Sequence, residues 1–284
     1  RLLEDDRGLF PNYYAGLLVR RDLPAAVLDT LGALEGRIDE ATMQRLNRRV
    51  STDGESPAAV AGDFLRQSGL VTEPIGAPAR RSDIGRNTLV HLQLTGLALA
   101  LACLVAVPLA LLVSRAPRLA SALQYTAGLI QTIPALALLA LLIPLLGLGQ
   151  ATAVLALFLY SLLPIVRNTL TGLASVDPLL KEVATSMGLT GAQQVLRIEL
   201  PLAVPMILAG IRTAAVISIG TATLAAFVGA GGLGQPIITG LSLNDNRLIL
   251  EGAIPAALLA VAAEWGFELL ERKIVPAHLR VRGG

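Results

Sequence analysis

The chain has 284 residues, a mean hydropathy of +0.64 and 54% hydrophobic residues. Only 15% are charged, well below the roughly 25% of ordinary soluble domains. A net charge of +2 without a basic, aromatic-interleaved stripe excludes a nucleic-acid binder, and one cysteine, Cys103, excludes an intrachain disulfide.

Residues 1–86 hold 12 basic and 13 acidic residues, whereas the other 198 hold 11 and 8. A polar N-terminal part therefore precedes a membrane part. The chain opens without Met and without a visible signal peptide, as a fragment would. In the polar part, Asp39 starts a helix through Arg49. Ser56-Pro57 starts another through Gln67, closed by Gly69. Residues 72–86, with Pro74, Gly76 and Pro78, read as a linker.

Charge-free runs long enough for a bilayer core of about 30 Å follow. Span 1 is Thr88–Val113, span 2 Ala122–Leu146 and span 3 Ala151–Leu170, with a turn at Gly147–Gln150 between the last two. Span 4 lies within Pro201–Val228 and span 5 is Leu248–Phe267. Arg115 and Arg118, then Arg167, Lys181 and Arg197, then Arg272, Lys273, Arg280 and Arg282 fall on one side. The excess of Lys and Arg makes that side cytoplasmic, giving five spans, N-out and C-in. Arg80, Arg81 and Arg86 oppose this orientation. Arg212 reads as a topology anchor snorkelling near the cytoplasmic face. Glu264 and Glu268 read as interfacial carboxylates, Glu268 able to pair with Arg272 one turn on. His91 and His278, far apart in sequence, read as packed or solvated rather than as ligands.

Span 2 contains Gln131-Thr132-Ile133-Pro134. Pro134 is expected to kink the helix and free a carbonyl. Gln131 is then either pore-lining or a helix–helix hydrogen bonder. In span 4, Ser218, Gly220, Thr221 and Thr223 suggest close packing around a translocation path. Gly229-Ala-Gly-Gly-Leu-Gly234 fits the dinucleotide fingerprint but lacks its strand and helix context, so a tight turn is expected instead. No P-loop sequence occurs in the chain.

Asp177 to Pro201 is a polar interruption between spans 3 and 4. Asp177 caps a helix beginning at Pro178, with Leu180, Val183, Ala184 and Met187 on one face and Gly188 at its end. Thr190 and Gln193 form a capping box for a second helix, Gly191–Glu199. Pro201 is expected to reset the chain direction.

Glu182, Ala184 and Gly188, then Ile198, Leu200 and Pro201, resemble the E-A-A…G…I-x-L-P loop of ABC-importer permeases, with Val183 in place of the second-position Ala. The resemblance implies that these residues dock loop 177–201 into cytoplasmic ATPase subunits. The chain would then hydrolyse nothing, need no cofactor, and work as a pair of permease subunits, a homodimer, in the cell membrane; no Cys/His cluster offers a metal site. The stretches from Gln131 to Gly147 and from Ile211 to Gly234 look like permeases for glycine betaine, carnitine, choline or proline betaine. This resemblance covers residues 87–270 and implies an all-α, methionine-importer-like transmembrane fold over residues 87–271, with a cytoplasmic tail at 272–284. A same-fold importer for methionine or a sulfonate is one alternative. A secondary transporter or channel is another, needing intramembrane ionisable groups or an inverted repeat.

Leu2–Asp6 and Phe10-Pro11-Asn12-Tyr13-Tyr14 are similar to the last portion of the osmoprotectant-binding protein, with Asn12 replacing a Pro. The similarity makes residues 1–71 an α/β fragment of a substrate-binding domain. It assigns Tyr13, with Tyr14 as a further candidate, to an aromatic cage. A quaternary ammonium offers no hydrogen to donate, so ring faces supply the grip.

Overall fold

A computed structural model of the chain describes Val19 and residues 23–55, 57–71 and 83–276. It divides into two compact units, Arg1–Arg80 and Arg81–Gly284. Among the described residues every regular element is helical.

The first unit contains α1 (Ala25–Gly32), α2 (Glu40–Ser51) and α3 (Pro57–Gln67). Asp39 caps α2 by accepting from the Thr42 N–H at 2.8 Å. Gly69, at φ +69°, follows α3 in the left-handed region that suits glycine. Arg49 ties α2 to α3. It donates to both oxygens of Glu55 at 2.7 and 2.5 Å and to Asp63 at 2.7 Å. These bonds hold the Glu55 and Asp63 carboxyls below the usual carboxylate range. Their contribution is therefore present at neutral pH and lost as pH falls through the lowered values. Residues 1–18, with Tyr13 and Tyr14, lie outside the described residues, as do Arg80, Arg81 and His278.

The second unit is built around α7 (Gln150–Ala174), which packs on α4 (Ile84–Val113), α5 (Pro117–Thr132), α6 (Ala135–Leu146) and α10 (Leu200–Thr221). Small residues set these contacts. Ala98, Ala102, Ala106 and Ala110 recur every four positions on α4 and are almost wholly buried. The last three pack with Ile165, Val166 and Leu170 of α7. A Cβ at Gly172 would stand 2.8 Å from Met206, and one at Gly210 would stand 2.8 Å from the Pro164 carbonyl, so α7 and α10 approach too closely for larger residues. A 3-10 segment (Ala222–Val228) extends α10 to a glycine-rich turn. Beyond it lie α11 (Gly234–Leu243), for which the sequence reading assigned no element, and α12 (Asn246–Ile274).

Span 2 is broken, not kinked: α5 and α6 meet at 97°. Ile133 and Pro134 are both extended, with ψ 125° and 138°, because the proline ring drives its predecessor out of the helical region. At about 24 and 18 Å, neither half reaches across a bilayer core alone. Taken together, the pair connects the two ends of the bundle. α5 follows Arg115, which contacts Glu199 near the start of α10, whereas the segment after α6 donates from the Gly149 N–H to the Val228 carbonyl at the far end, 2.7 Å. With the four unbroken candidates, the pair brings the candidate spans to five by length and composition.

Two prolines leave carbonyls without helical partners, and each is met from the other element. Pro164 has no N–H for the Tyr160 carbonyl, which instead accepts from Gln131 Nε2 at 3.0 Å. The break strands the Ile133 carbonyl, which accepts from the Tyr160 hydroxyl. Irregular backbone at membrane depth requires such internal partners. Gln131→Leu should lower stability by about 1–3 kcal/mol, read as a lower Tm in detergent. Adding Pro164→Ala should recover most of it by restoring an N–H at position 164. An unchanged Tm for Gln131→Leu would show that this bond does not support the break.

Candidate functional site

Between α7 and α10 the chain projects as α8 (Pro178–Ser186), a short α9 (Gly191–Gln194) and a π turn (Val195–Glu199). The local signals act as expected at both starts. Asp177 accepts from the Leu179 N–H at 2.9 Å. Thr190 and Gln193 form the reciprocal capping box, at 2.9 and 3.4 Å. Gly188, at φ +79°, follows the end of α8.

Pro201 does not reset the direction. It sits in the first turn of α10, inside one continuous helical run from Gly191 to Val228. The π turn just before it, closed by the Leu200 N–H on the Val195 carbonyl, accommodates a residue that cannot donate.

Leu179, Leu180, Val183, Met187 and Leu196 are exposed, Met187 by 73%. Ala184 does not share that face: it is buried and packs the loop from within. Glu182 and Pro201 are exposed, and Ile198 and Leu200 are half-buried.

Behind this face lies an ionic hub. Glu199, with 5% of its side chain exposed, accepts from Arg115 Nη2 at 2.9 Å, and Lys181 Nζ lies 3.7 Å from its other oxygen. Arg115 also donates to Gln194 Oε1 at 2.9 Å. Gln194 Nε2 donates to Thr185 Oγ1 at 3.0 Å and to the Leu189 carbonyl at 3.1 Å, and Lys181 donates to the Leu173 carbonyl at 3.1 Å. A Cβ at Gly191 would stand 2.8 Å from Arg115 Nη1, so the glycine makes room for the guanidinium. Around one buried carboxylate, Arg115 and Lys181 thus join the ends of α4 and α7 to α8 and α9.

The opposite end of the bundle has its own key. His91 is wholly buried. Its Nε2 lies 2.9 Å from the Ile219 carbonyl, and its Nδ1 accepts from the Leu233 N–H at 3.3 Å. The carbonyl needs a donor, so the proton belongs on Nε2. The adjoining Gly229–Gly234 turn has Gly229, Gly231 and Gly232 at φ 75–82°, and a Cβ at Gly234 would meet the Thr223 carbonyl at 1.8 Å. The fingerprint-like glycines form a closed, packed turn.

Of the other sequence-derived positions, Gln131 and Pro134 meet at the break beside Tyr160. Thr221 and Tyr160 line one narrow cleft with Leu157 and Ala225. Ser218 is buried against Ser161 of α7, 2.8 Å between hydroxyls. Arg212 has an interhelix partner that sequence reasoning missed, Glu264 of α12 at 3.4 Å.

Residues 98–276 match the family described as the binding-protein-dependent transport system inner membrane component. The chain belongs to this family. The permease is 45% identical over 194 residues to the choline transport system permease protein OpuBB of Bacillus subtilis, covering 68% of this chain and 89% of that one. It is 43% identical over 198 residues to the osmoprotectant import permease protein OsmW of Salmonella typhimurium, covering 68% and 92%. Its fold is that of the MetNI methionine ABC transporter in an inward-facing conformation, with a TM-score of 0.62 at 19% identity, over 72% of this chain and all of that one. Residues 1–67 separately match the substrate-binding domain of the ABC-type glycine betaine transport system. As a multi-pass membrane component of an ABC importer, the permease works with ATPase subunits and a second permease subunit.

The hub makes a graded prediction for the permease. Arg115→Met leaves a buried carboxylate with Lys181 alone and should cost about 2–3 kcal/mol, less than a wholly buried pair because Arg115 is half-exposed. Glu199→Leu removes the buried charge and should cost less. Thermal unfolding in detergent checks the order; a reversed order would mean that Glu199 is solvated.

Proposed function

We propose that this permease imports quaternary-ammonium osmoprotectants such as glycine betaine, carnitine and choline, and that residues 1–71 are the C-terminal part of its substrate-binding domain. The observation that carries this reading is the pairing, on one chain, of a match to the glycine betaine system's binding domain with a membrane unit 43–48% identical to permeases named for choline, carnitine and osmoprotectants. The likeness to the methionine transporter concerns fold alone.

In this reading loop 177–201 docks into a cytoplasmic ATPase subunit. The exposed Leu179, Leu180, Val183 and Met187 form an apolar ridge suited to a partner groove, with Glu182 at its edge. Ala184, Gly188, Ile198, Leu200 and Pro201 set the ridge's shape. The loop side of the bundle is then cytoplasmic, and α4 begins on the other side, where residues 1–71 would meet extracytoplasmic substrate. Tyr13 and Tyr14 contribute ring faces to the ammonium cage. Gln131, Pro134, Ser218 and Thr221 border the translocation path, which two copies of the permease enclose. ATP hydrolysis resides in the separate ATPase subunits.

With its ATPase subunits in liposomes, the full-length protein should show ATPase activity stimulated by glycine betaine, carnitine or choline. Activity indifferent to all three would remove the osmoprotectant assignment. Met187→Glu, which places a charge on the ridge, should abolish co-purification of the ATPase while leaving the permease in the membrane. Undiminished co-purification would move the docking face elsewhere.

A further inference from the structure

The helix that starts in the docking loop, Gly191–Val228, is α-helical at Gly191–Gln194 and again at Leu200–Thr221. It is π-wound at Val195–Glu199 and 3-10-wound at Ala222–Val228. The π turn spreads the chain around the axis and the 3-10 segment stretches it, so both are places where a helix can rewind and change length. Both are held by the same neighbour. Arg115, just past the end of α4, grips Glu199, the last residue of the π turn, at 2.9 Å. His91, near the start of α4, grips Ile219, three residues before the 3-10 segment, and Leu233, five residues after it, at 2.9 and 3.3 Å.

From His91 to its end at Val113 α4 runs about 33 Å at 1.5 Å per residue. Ala98, Ala102, Ala106 and Ala110 are almost wholly buried against the rest of the bundle, and close-packed interiors transmit strain. Pro108 removes one backbone bond, yet α4 persists as a single helix through it.

We propose that α4 is a brace of fixed length that holds α10 between its two rewindable ends, and that Arg115 and His91 are its positioning residues. A push on the loop during the ATPase cycle reaches the π turn through Glu199. Because α4 fixes the separation of Glu199 from Ile219, the displacement emerges at the 3-10 segment and the glycine-rich turn on the opposite face. The tie at Leu233 makes that turn move as a unit with the end of α4. This role rests on the docking of loop 177–201 proposed above and is independent of which solute is carried.

The test uses the full chain with its ATPase subunits in proteoliposomes, in a Cys103→Ala background carrying Phe227→Cys, an exposed position in the 3-10 segment. The rate of maleimide labelling is compared between the nucleotide-free and ATP-vanadate-trapped states. The parent should label at different rates in the two states. Arg115→Gln and His91→Leu should each abolish the difference, and the double variant should lose nothing further, as two ends of one brace require. Arg115→Lys should keep the difference. A merely structural role would alter both rates in proportion and leave their ratio intact. Should Arg115→Gln fail to assemble, Glu199→Leu removes the same tie without stranding a buried charge. A parent with no difference, a difference that survives either substitution, or losses that add would each overturn the proposal.

Discussion

The buried carboxylate of Glu199 governs how the loop is built. A charge with so little exposure persists only when cations and donors surround it, and the loop supplies them from every element it touches. Lys181 comes from α8, Gln194 lies beside it through Arg115, and Arg115 itself arrives from the end of α4. Gly191 is small where the guanidinium passes. Without that arrangement, α8 and α9 would be short helices of little intrinsic stability, free to adopt any angle to the bundle. With it, their apolar ridge is displayed in one orientation. A preoriented ridge suits the proposed docking to an ATPase subunit.

The membrane unit follows the rule that lipid offers backbone groups no partners. Span 2 is interrupted, and the cost is contained by an exchange with α7. Gln131 serves the carbonyl that Pro164 leaves open, and Tyr160 serves the one stranded at Ile133. Each proline alone would be a defect; opposite one another they form a joint of defined geometry. Tyr160 also lines the cleft that includes Thr221, so the joint and the end of α10 share a wall.

Much of this was legible because it is local. Charge-free runs placed the crossings, and Asp177-Pro178 and Thr190…Gln193 declared the two helix starts in the loop. What was not legible depends on distance or on competition between neighbours. Arg115 and Glu199 are 84 positions apart, and nothing near either residue announces the other. The same holds for Arg212 and Glu264. Pro201 looked like a change of direction, but the π turn before it was invisible to a pattern of period 3.6. Pro134 looked like a kink; the extended conformation it imposes on Ile133, together with a partner ready for the freed carbonyl, turned a kink into a break. Ala184 was placed on the docking face by its spacing, and the packing of the loop turned it inward. α11 was hidden because its few turns adjoin a glycine-rich stretch that reads as punctuation.

These observations converge on one mechanical statement: loop 177–201 and the end of the first span form a single body, joined through Glu199. The most direct test is a pair of experimental structures of the permease with its ATPase subunits, one nucleotide-free and one trapped with ATP. If the statement holds, the loop changes position relative to α7 and α12 between the two states while Arg115 and Glu199 stay within hydrogen-bonding distance in both. A loop that moves while that pair separates would contradict it.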